Sequence, residues 1–146
     1  MTKEILFIGK RVDNGEWVVG DLIHRQIWKR SLTIIRVSDD GFDHYEEYEV
    51  IPETVGQFTG LTDKNGNKIF EGDIISATAL DTEEEQRAVV CFGNFIDENN
   101  DDEYIGFFIE FDSIKTTITQ LSMEECKNRI EVIGNIYDNK ELLEND

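Results

Sequence analysis

The sequence contains very little cysteine and proline, and it has no long apolar run. Cys91 and Cys126 are its two cysteines, and Pro52 is its one proline. Two cysteines cannot build a disulfide scaffold, so we expect a reduced, cytoplasmic protein. No apolar run approaches the roughly 18 residues that a transmembrane helix needs. The stretch Ile5–Ile8 is too short for the core of a signal peptide, so we expect no membrane association.

Basic residues are scarce as well. The chain carries 14 Lys and Arg against 32 Asp and Glu, a net charge of −18. Proteins bind nucleic acids largely by replacing phosphate counterions with Lys and Arg. The one basic grouping is sparse and consists of Lys10-Arg11, Arg25 and Lys29-Arg30. Direct nucleic-acid binding is therefore not expected, whereas a basic protein partner would suit this charge.

Motifs for catalysis or cofactor binding are also missing. His24, His44, Cys91 and Cys126 lie far apart in the sequence and form no zinc-like pairs. Cys91 lies in a strand pattern, which favours a small core residue. No Walker-type or dinucleotide-binding glycine motif is present. We therefore predict no enzyme, no cofactor, and no catalytic or metal-binding residues, with hydrolysis by a cysteine or carboxylates as the enzymatic alternative.

Two polar stretches resemble calcium loops but fail at decisive positions. The tract 97–103, Asp-Glu-Asn-Asn-Asp-Asp-Glu, offers oxygen ligands at alternate positions. Asp102 and Phe108, however, stand where an EF-hand loop needs Gly and Glu. We interpret the tract as a solvated hairpin loop. A second group fails in the same way: Asp63, Asn65 and Asn67, with Lys68 and Ile74 at those two positions.

The segment Ile51–Ile75 is the most distinctive part of the chain. Gly56 and Gly60 separate apolar anchors, as expected where extended and turn conformations alternate. Asn65-Gly66 is the preferred pair for a type I′ hairpin turn, in which both central residues have positive φ. The segment thus predicts a series of turns and short strands, and we interpret it as a hinge between two halves.

Three parts of the sequence together form a recognisable pattern: Glu53–Leu61, Asp63–Gly66 and Phe70–Ile75; Ile130–Tyr137 with Glu141–Leu143; and Gly20–His24. This pattern resembles the signature of the YopX protein family, small proteins of unknown function found mostly in bacteriophages and prophages. The resemblance spans most of the chain and implies an SH3-like barrel in the C-terminal half. Lys140, where such proteins commonly have proline, and the tract 97–103 depart from the pattern.

The chain predicts a mainly β protein with antiparallel strands. At 146 residues it should bury about 68–70% of its extended surface, enough for one core. Short apolar runs separated by Gly, Asn and Asp turns are typical of antiparallel sheet. We expect one domain, 1–146, with an N-terminal β subregion (1–58) and a barrel-like subregion (59–146). Gly20 and Gly134 are predicted to mark kinks or bulges in their strands.

One or two short helices are expected near the C-terminus. Ser122 and Glu125 have the spacing of a capping box, which predicts a short helix through about Asn128 that would include Cys126. Asp138 or Asn139 could cap a final helical turn over Glu141–Leu143.

The function expected from these observations is that of a non-enzymatic phage or prophage accessory protein, a protein-binding or assembly module. Open sheet edges would also suit a homo-oligomer. The alternative is an acidic decoy that mimics nucleic acid and occupies a basic DNA-binding protein, which the charge of −18 suggests. Five aromatic residues could form an interface, although core positions are favoured: Trp17, Trp28, Phe42, Tyr45 and Tyr48.

Overall fold

Antiparallel strands make up most of the described structure. The computed structural model describes residues 4–38, 44–78, 85–97, 102–111, 119–120 and 128–143. Every strand pairing within these residues is antiparallel, so the predicted mainly β, antiparallel class is confirmed. The strands are β1 (Phe7–Lys10), β2 (Trp17–Ile27), β3 (Arg30–Ser38), β4 (Tyr45–Glu49), β5 (Gly56–Thr62), β6 (Lys68–Phe70), β7 (Asp73–Thr78), β8 (Glu85–Asp97), β9 (Asp102–Phe111), β10 (Thr119–Gln120) and β11 (Ile130–Asn135).

The chain divides into two units, Met1–Phe58 and Thr59–Asp146. In the first unit the strand order is β4-β3-β2-β1, followed by the beginning of β5. Backbone bonds also join the ends of this order, from Val12 N–H to Glu49 O (3.0 Å) and from Ile51 N–H to Lys10 O (2.8 Å). A 3-10 turn, Pro52–Thr54, then leads into β5. The buried apolar residues of this unit are Ile34, Ile35, Val50 and Phe58.

Gly20 lies where the backbone of a neighbouring strand leaves no room for a side chain. A Cβ atom at this position would lie 2.0 Å from the carbonyl oxygen of Arg36. Gly20 is also the point at which β2 changes partner, because Gly20 pairs with Phe7 of β1 and Asp21 pairs with Arg36 of β3. The irregularity predicted at Gly20 is therefore a close approach of two backbones.

The second unit contains a sheet with the order β10-β9-β8-β7-β11. Leu61, Ala77 and Val132 pack against its core. The register between β11 and β7 shifts between Val132 and Gly134, which confirms the bulge predicted near Gly134. The core consists of Ile69, Ile75, Ala88, Val90, Ile109 and Ile130.

Two expectations for the second unit require correction. No closed barrel is detected in the described residues, where β10 and β11 are the two ends of an open strand order, so the SH3-like barrel is not confirmed. The expected C-terminal α-helices are not seen, since no complete α-helix lies in the described part of the chain. Lys140–Leu143 forms a short 3-10 turn. The helix predicted from Ser122 lies largely outside the described residues.

One of the two side chains expected to cap the final turn, that of Asn139, has another partner. Asn139 Oδ1 accepts the N–H of Asn135 at 3.2 Å and so holds the end of β11. Only the carbonyl oxygen of Asn139 contacts the turn, by accepting the N–H of Leu142 at 2.9 Å.

The turn at Asn65-Gly66 is present, but the predicted type I′ conformation is wrong. Gly66 has φ of +84°, whereas Asn65 is not among the described residues with positive φ. Gly66 N–H donates to Asp63 O (3.0 Å) and Asp63 N–H to Asn67 O (2.8 Å). This is the three-residue hairpin loop, a turn followed by a left-handed glycine. Asp63 Oδ1 selects it by accepting the N–H groups of Asn65 and Asn67 at 2.9 and 2.8 Å.

Candidate functional site

The hairpin of β8 and β9 extends beyond the sheet that contains it. β7 pairs with β8 only as far as Val89, and β10 pairs with β9 only at Phe108 and Ile109. The ladder between β8 and β9 nevertheless continues to the pair Asp97 and Asp102. We call Phe92–Asp97 and Asp102–Phe107 the arm. Within the described residues, its two strands pair only with each other.

One face of the arm continues the core face of the sheet. Residues paired across an antiparallel ladder share a face, and the faces alternate along each strand. Val90 and Ile109 form a buried pair in the core. Phe92 and Phe107, two positions further along, therefore lie on the same face, and their rings pack edge to face with centroids 4.9 Å apart.

This face remains mostly apolar along the arm but is exposed, and it also carries Asn94, the partner of Ile105. The exposed fraction is 50% for Phe92, 57% for Ile96 and 76% for Ile105. Ile96 pairs with Glu103, which places a carboxylate on the same face near the end of the arm. An exposed ribbon of two strands is only marginally stable by itself. We therefore define the candidate site as this apolar face: Phe92, Ile96, Ile105, Phe107 and the neighbouring Glu103.

A second exposed apolar feature lies at the tip of the β2–β3 hairpin in the first unit. Ile27 pairs with Arg30, so Trp28 and Lys29 form a two-residue turn. Trp28 is 89% exposed and has φ of +57°. Ile27 is 51% exposed. A large side chain at positive φ is strained by about 1–3 kcal/mol, and a side chain that is 89% exposed gains little packing to offset that strain.

The other aromatic residues predicted as core or interface differ from Trp28. Trp17 is half-buried and lies 6.0 Å from Lys10 Nζ. The guanidinium groups of Arg11 and Arg36 stack on Tyr48 and Tyr45, each 4.2 Å from the ring centre. Phe42 lies outside the described residues.

The sparse basic residues of the first unit are largely neutralised by carboxylates. Arg25 and Arg36 both bind Glu47 at 2.8 Å. The hydrogen bond from Arg25, and after it the one from Arg36, is the largest cause that lowers the pKa of Glu47 to about 2. Arg11 contacts Asp13 at 2.7 Å. A depression of about 250 Å³ next to these ion pairs is lined by Arg11, Val12, Asp13, Glu47, Tyr48 and Glu49. Because its charged groups already satisfy one another, we do not place the binding site there.

Among the described residues, those considered for catalysis are not assembled into a site within either unit. His24 and His44 are exposed in the first unit. Cys91 is half-buried in β8 of the second unit, and burial, together with the nearby Glu110 and Glu71, raises the pKa of its thiol to about 11. Cys126 lies outside the described residues. No cluster of metal-ligating side chains occurs in the part of the chain that is described.

The two groups considered for calcium have different outcomes. Residues 98–101 of the acidic tract lie outside the described residues. Asp97, Asp102 and Glu103, the rest of the tract, lie at the end of the arm. Asp63 is buried, 2% exposed, and its carboxylate is occupied by N–H donors of the protein. These donors are the backbone N–H groups of Asn65, Asn67 and Val132 and the side-chain amide of Asn67. Asp63 is therefore a structural hydrogen-bond acceptor.

Sequence reasoning missed the arm because its pattern is that of a core strand. No sequence signal marks the arm, because the different lengths of β8 (13 residues) and its partner β7 (six) are known only from the structure.

The fold and its exposed arm define the chain as a two-unit antiparallel β protein. Its sequence matches the YopX protein family over residues 9–144, and the chain therefore belongs to that family. Among solved structures it is similar to protein EF1440 from Enterococcus faecalis, with 21% identity, a TM-score of 0.54, and coverage of 98% of this chain and 100% of that chain. At this identity the likeness concerns the fold alone. No curated protein matches the chain.

In the described residues, no helix is long and apolar enough to cross a membrane.

Proposed function

We propose that this chain is a non-enzymatic protein-binding or assembly module and that the apolar face of the arm is its contact surface. The family is found mostly in phages and prophages, which supports an accessory role in the cytoplasm of an infected host cell. The observation that carries the proposal is the exposure of Phe92, Ile96 and Ile105 on one face of a ribbon whose two strands, as far as the structure describes them, pair only with each other.

Physical chemistry supports contact at this face. Full burial of a large apolar side chain is worth about 1.5–3 kcal/mol relative to exposure. Phe92, Ile96 and Ile105 are each exposed by half or more. Their burial against a partner would therefore contribute several kcal/mol to the free energy of binding. Contiguous exposed apolar residues with polar neighbours are typical of protein interaction sites. A partner would also support a hairpin that is marginally stable without further strands.

The chemistry of Cys91 supports a non-enzymatic role. The thiolate is the nucleophilic form of cysteine, and catalytic cysteines have lowered pKa values. The pKa of Cys91 is instead raised to about 11, so the thiol is protonated at neutral pH. The two neighbouring carboxylates, Glu110 and Glu71, would oppose thiolate formation further.

A matched pair of variants tests the proposed surface. Ile105→Glu places a charge on the arm, and Ile5→Glu makes the same change at another exposed isoleucine (57% exposed). We expect the wild type and Ile5→Glu to associate, either with themselves in light scattering or with the same set of host proteins in affinity capture. Ile105→Glu should lose this association while its thermal unfolding is unchanged. Equal association by all three proteins would contradict the proposal.

The net charge supports a second candidate function, that of an acidic decoy for a basic DNA-binding protein. The chain carries a charge of −18, and Arg25, Arg36 and Arg11 are already bound to carboxylates. Such a decoy should capture DNA-binding proteins that elute as the salt concentration rises, because screening weakens charge pairing. Capture that is unaffected by salt, or capture of neutral proteins alone, would speak against it.

A further inference from the structure

The Trp28 turn has properties that its own unit does not explain. Trp28 has positive φ, a conformation that favours Gly or Asn, and its side chain is 89% exposed. Trp28 therefore combines a strained backbone conformation with the exposure of a large apolar ring. Backbone strain of this kind clusters at functional positions, and Trp is the residue type most enriched among binding hot spots.

The turn and the arm are chemically complementary. The turn presents Ile27 and Trp28 beside the cation Lys29, whereas the next cation, Arg30, lies 3.5 Å from Glu49 of its own unit. The arm presents an apolar face bordered by Glu103. Apolar surface would meet apolar surface, and Lys29 of the turn would meet Glu103 of the arm.

The net charge of −18 does not prevent two copies from meeting in this way. At physiological ionic strength the Debye length is about 8 Å, so charges beyond the contact are largely screened. The charges at the contact itself then decide, and the charged pair there is Lys29 facing Glu103. Pairing of two arms with each other would supply no cation for Glu103.

We propose that the apolar face of the arm binds the Trp28 turn of a second copy of this chain. This inference rests on the proposed function and names the partner of the same surface. The two contacting patches differ, so the contact either closes as a two-fold dimer, in which each copy's turn binds the other's arm, or repeats into a ring or an open filament. In every case each turn binds the arm of another copy.

Two variants that each disable one patch test this arrangement. Trp28→Asn removes the ring but retains a residue that tolerates positive φ, and Ile105→Glu disables the arm. We expect each variant alone to lose self-association, with a dissociation constant raised about thirtyfold or more. An equimolar mixture of the two should form a heterodimer in light scattering, because one intact turn and one intact arm remain. Ile5→Glu should associate like the wild type.

A charge exchange tests the orientation. Lys29→Glu and Glu103→Lys should each weaken self-association by about threefold to tenfold, and the double variant should recover it. Failure of the double variant to recover would overturn the proposed pairing.

The outcomes separate this inference from the proposed function. If Ile105→Glu abolishes association while Trp28→Asn does not, the arm remains the contact surface, and its pairing with the turn is overturned. If the wild type is monomeric at every concentration, the pairing is likewise overturned. The proposed function then depends on whether capture of host proteins requires Ile105. If neither variant changes self-association or capture, both proposals fail.

Discussion

The carboxylate of Asp63 accepts a hydrogen bond from the backbone N–H of Val132 at 2.9 Å, across a separation of 69 residues. The next residue, Lys64, donates its N–H to Ile130 O at 3.0 Å. These bonds connect the hairpin loop of the distinctive central segment to β11. The two main blocks of the family pattern are therefore in direct contact, and one buried carboxylate serves both.

Replacement of Asp63 by Asn should destabilise the second unit. The amide keeps the shape but removes the charge, and its NH2 group cannot accept hydrogen bonds. We expect Asp63→Asn to lower the free energy of unfolding by about 2–4 kcal/mol, measured by urea denaturation. Asp13→Asn, at an exposed carboxylate that binds Arg11, should change the stability far less, because exposed ion pairs contribute little. Similar losses for both variants would contradict the assigned role of Asp63.

Asp73 should make the protein less stable as the pH rises toward neutrality. Burial, and to a smaller extent the charge of Asp63, raises the pKa of Asp73 to about 7, although a hydrogen bond from Phe70 N–H opposes the rise. The folded state therefore binds more protons than the unfolded state between about pH 4 and pH 7, and stability falls over that range. Asp73→Asn can still accept the bond and should remove this dependence. The expected gain is on the order of 1–3 kcal/mol at pH 8 and near zero at pH 4.

Asp63 provides the internal contrast for this measurement. Burial raises the pKa of Asp63, but the N–H groups of Val132, Asn67 and Asn65 together hold it below its ordinary value. Its stabilising contribution is thus present above the unfolded pKa and is lost as the pH falls. If Asp63→Asn and Asp73→Asn changed the pH dependence of unfolding in the same direction, the opposite pKa shifts assigned to the two carboxyl groups would be contradicted.

Trp28 should be replaceable without loss of stability. Asn tolerates positive φ, so Trp28→Asn should leave the free energy of unfolding unchanged or raise it by up to about 1 kcal/mol. Trp28→Val puts a β-branched residue at the same φ and should be less stable than Trp28→Asn by about 1–2 kcal/mol. Thermal unfolding of the two variants checks the order, and a large loss in Trp28→Asn would show that the ring packs against its own chain.

Two glycines should respond to alanine in opposite ways. At Gly20 the new Cβ would meet the carbonyl oxygen of Arg36 at 2.0 Å, so Gly20→Ala should cost about 2–4 kcal/mol. At Gly106 a Cβ would have no described atom within 4 Å, apart from those of its neighbours in the chain. Gly106→Ala should therefore stabilise the protein by about 0.5 kcal/mol, through the reduced entropy of the unfolded chain. Chemical denaturation of both variants measures the difference.

The strands were predictable where local pattern and tertiary pairing agree. Alternating and β-branched runs indicated most of them, and Gly134 indicated the bulge in β11. The turn at Trp28 was not predictable, because it contains none of the Gly, Asn or Pro residues that mark turns. The pairing of Ile27 with Arg30 instead depends on the register of two long strands.

The type of the central turn and the candidate site also depend on long-range structure. Asn65-Gly66 indicates the location of the turn, but the Asp63 side chain, itself held by Val132, determines its type. In the arm, Phe92 and Ile105 have the spacing of core residues. Strand periodicity records which face a residue occupies and contains no information about whether another element covers that face.

The contact between Asp63 and Val132 also sets an order of events during translation. Val132 leaves the ribosome 69 residues after Asp63, on the order of 3–14 s later at typical synthesis rates. During that interval the loop at Asp63 lacks the strand that completes its hydrogen bonds, whereas all residues of the first unit have already been synthesised. The nascent chain therefore passes through a stage in which its first half can be ordered while the second half awaits its last strand.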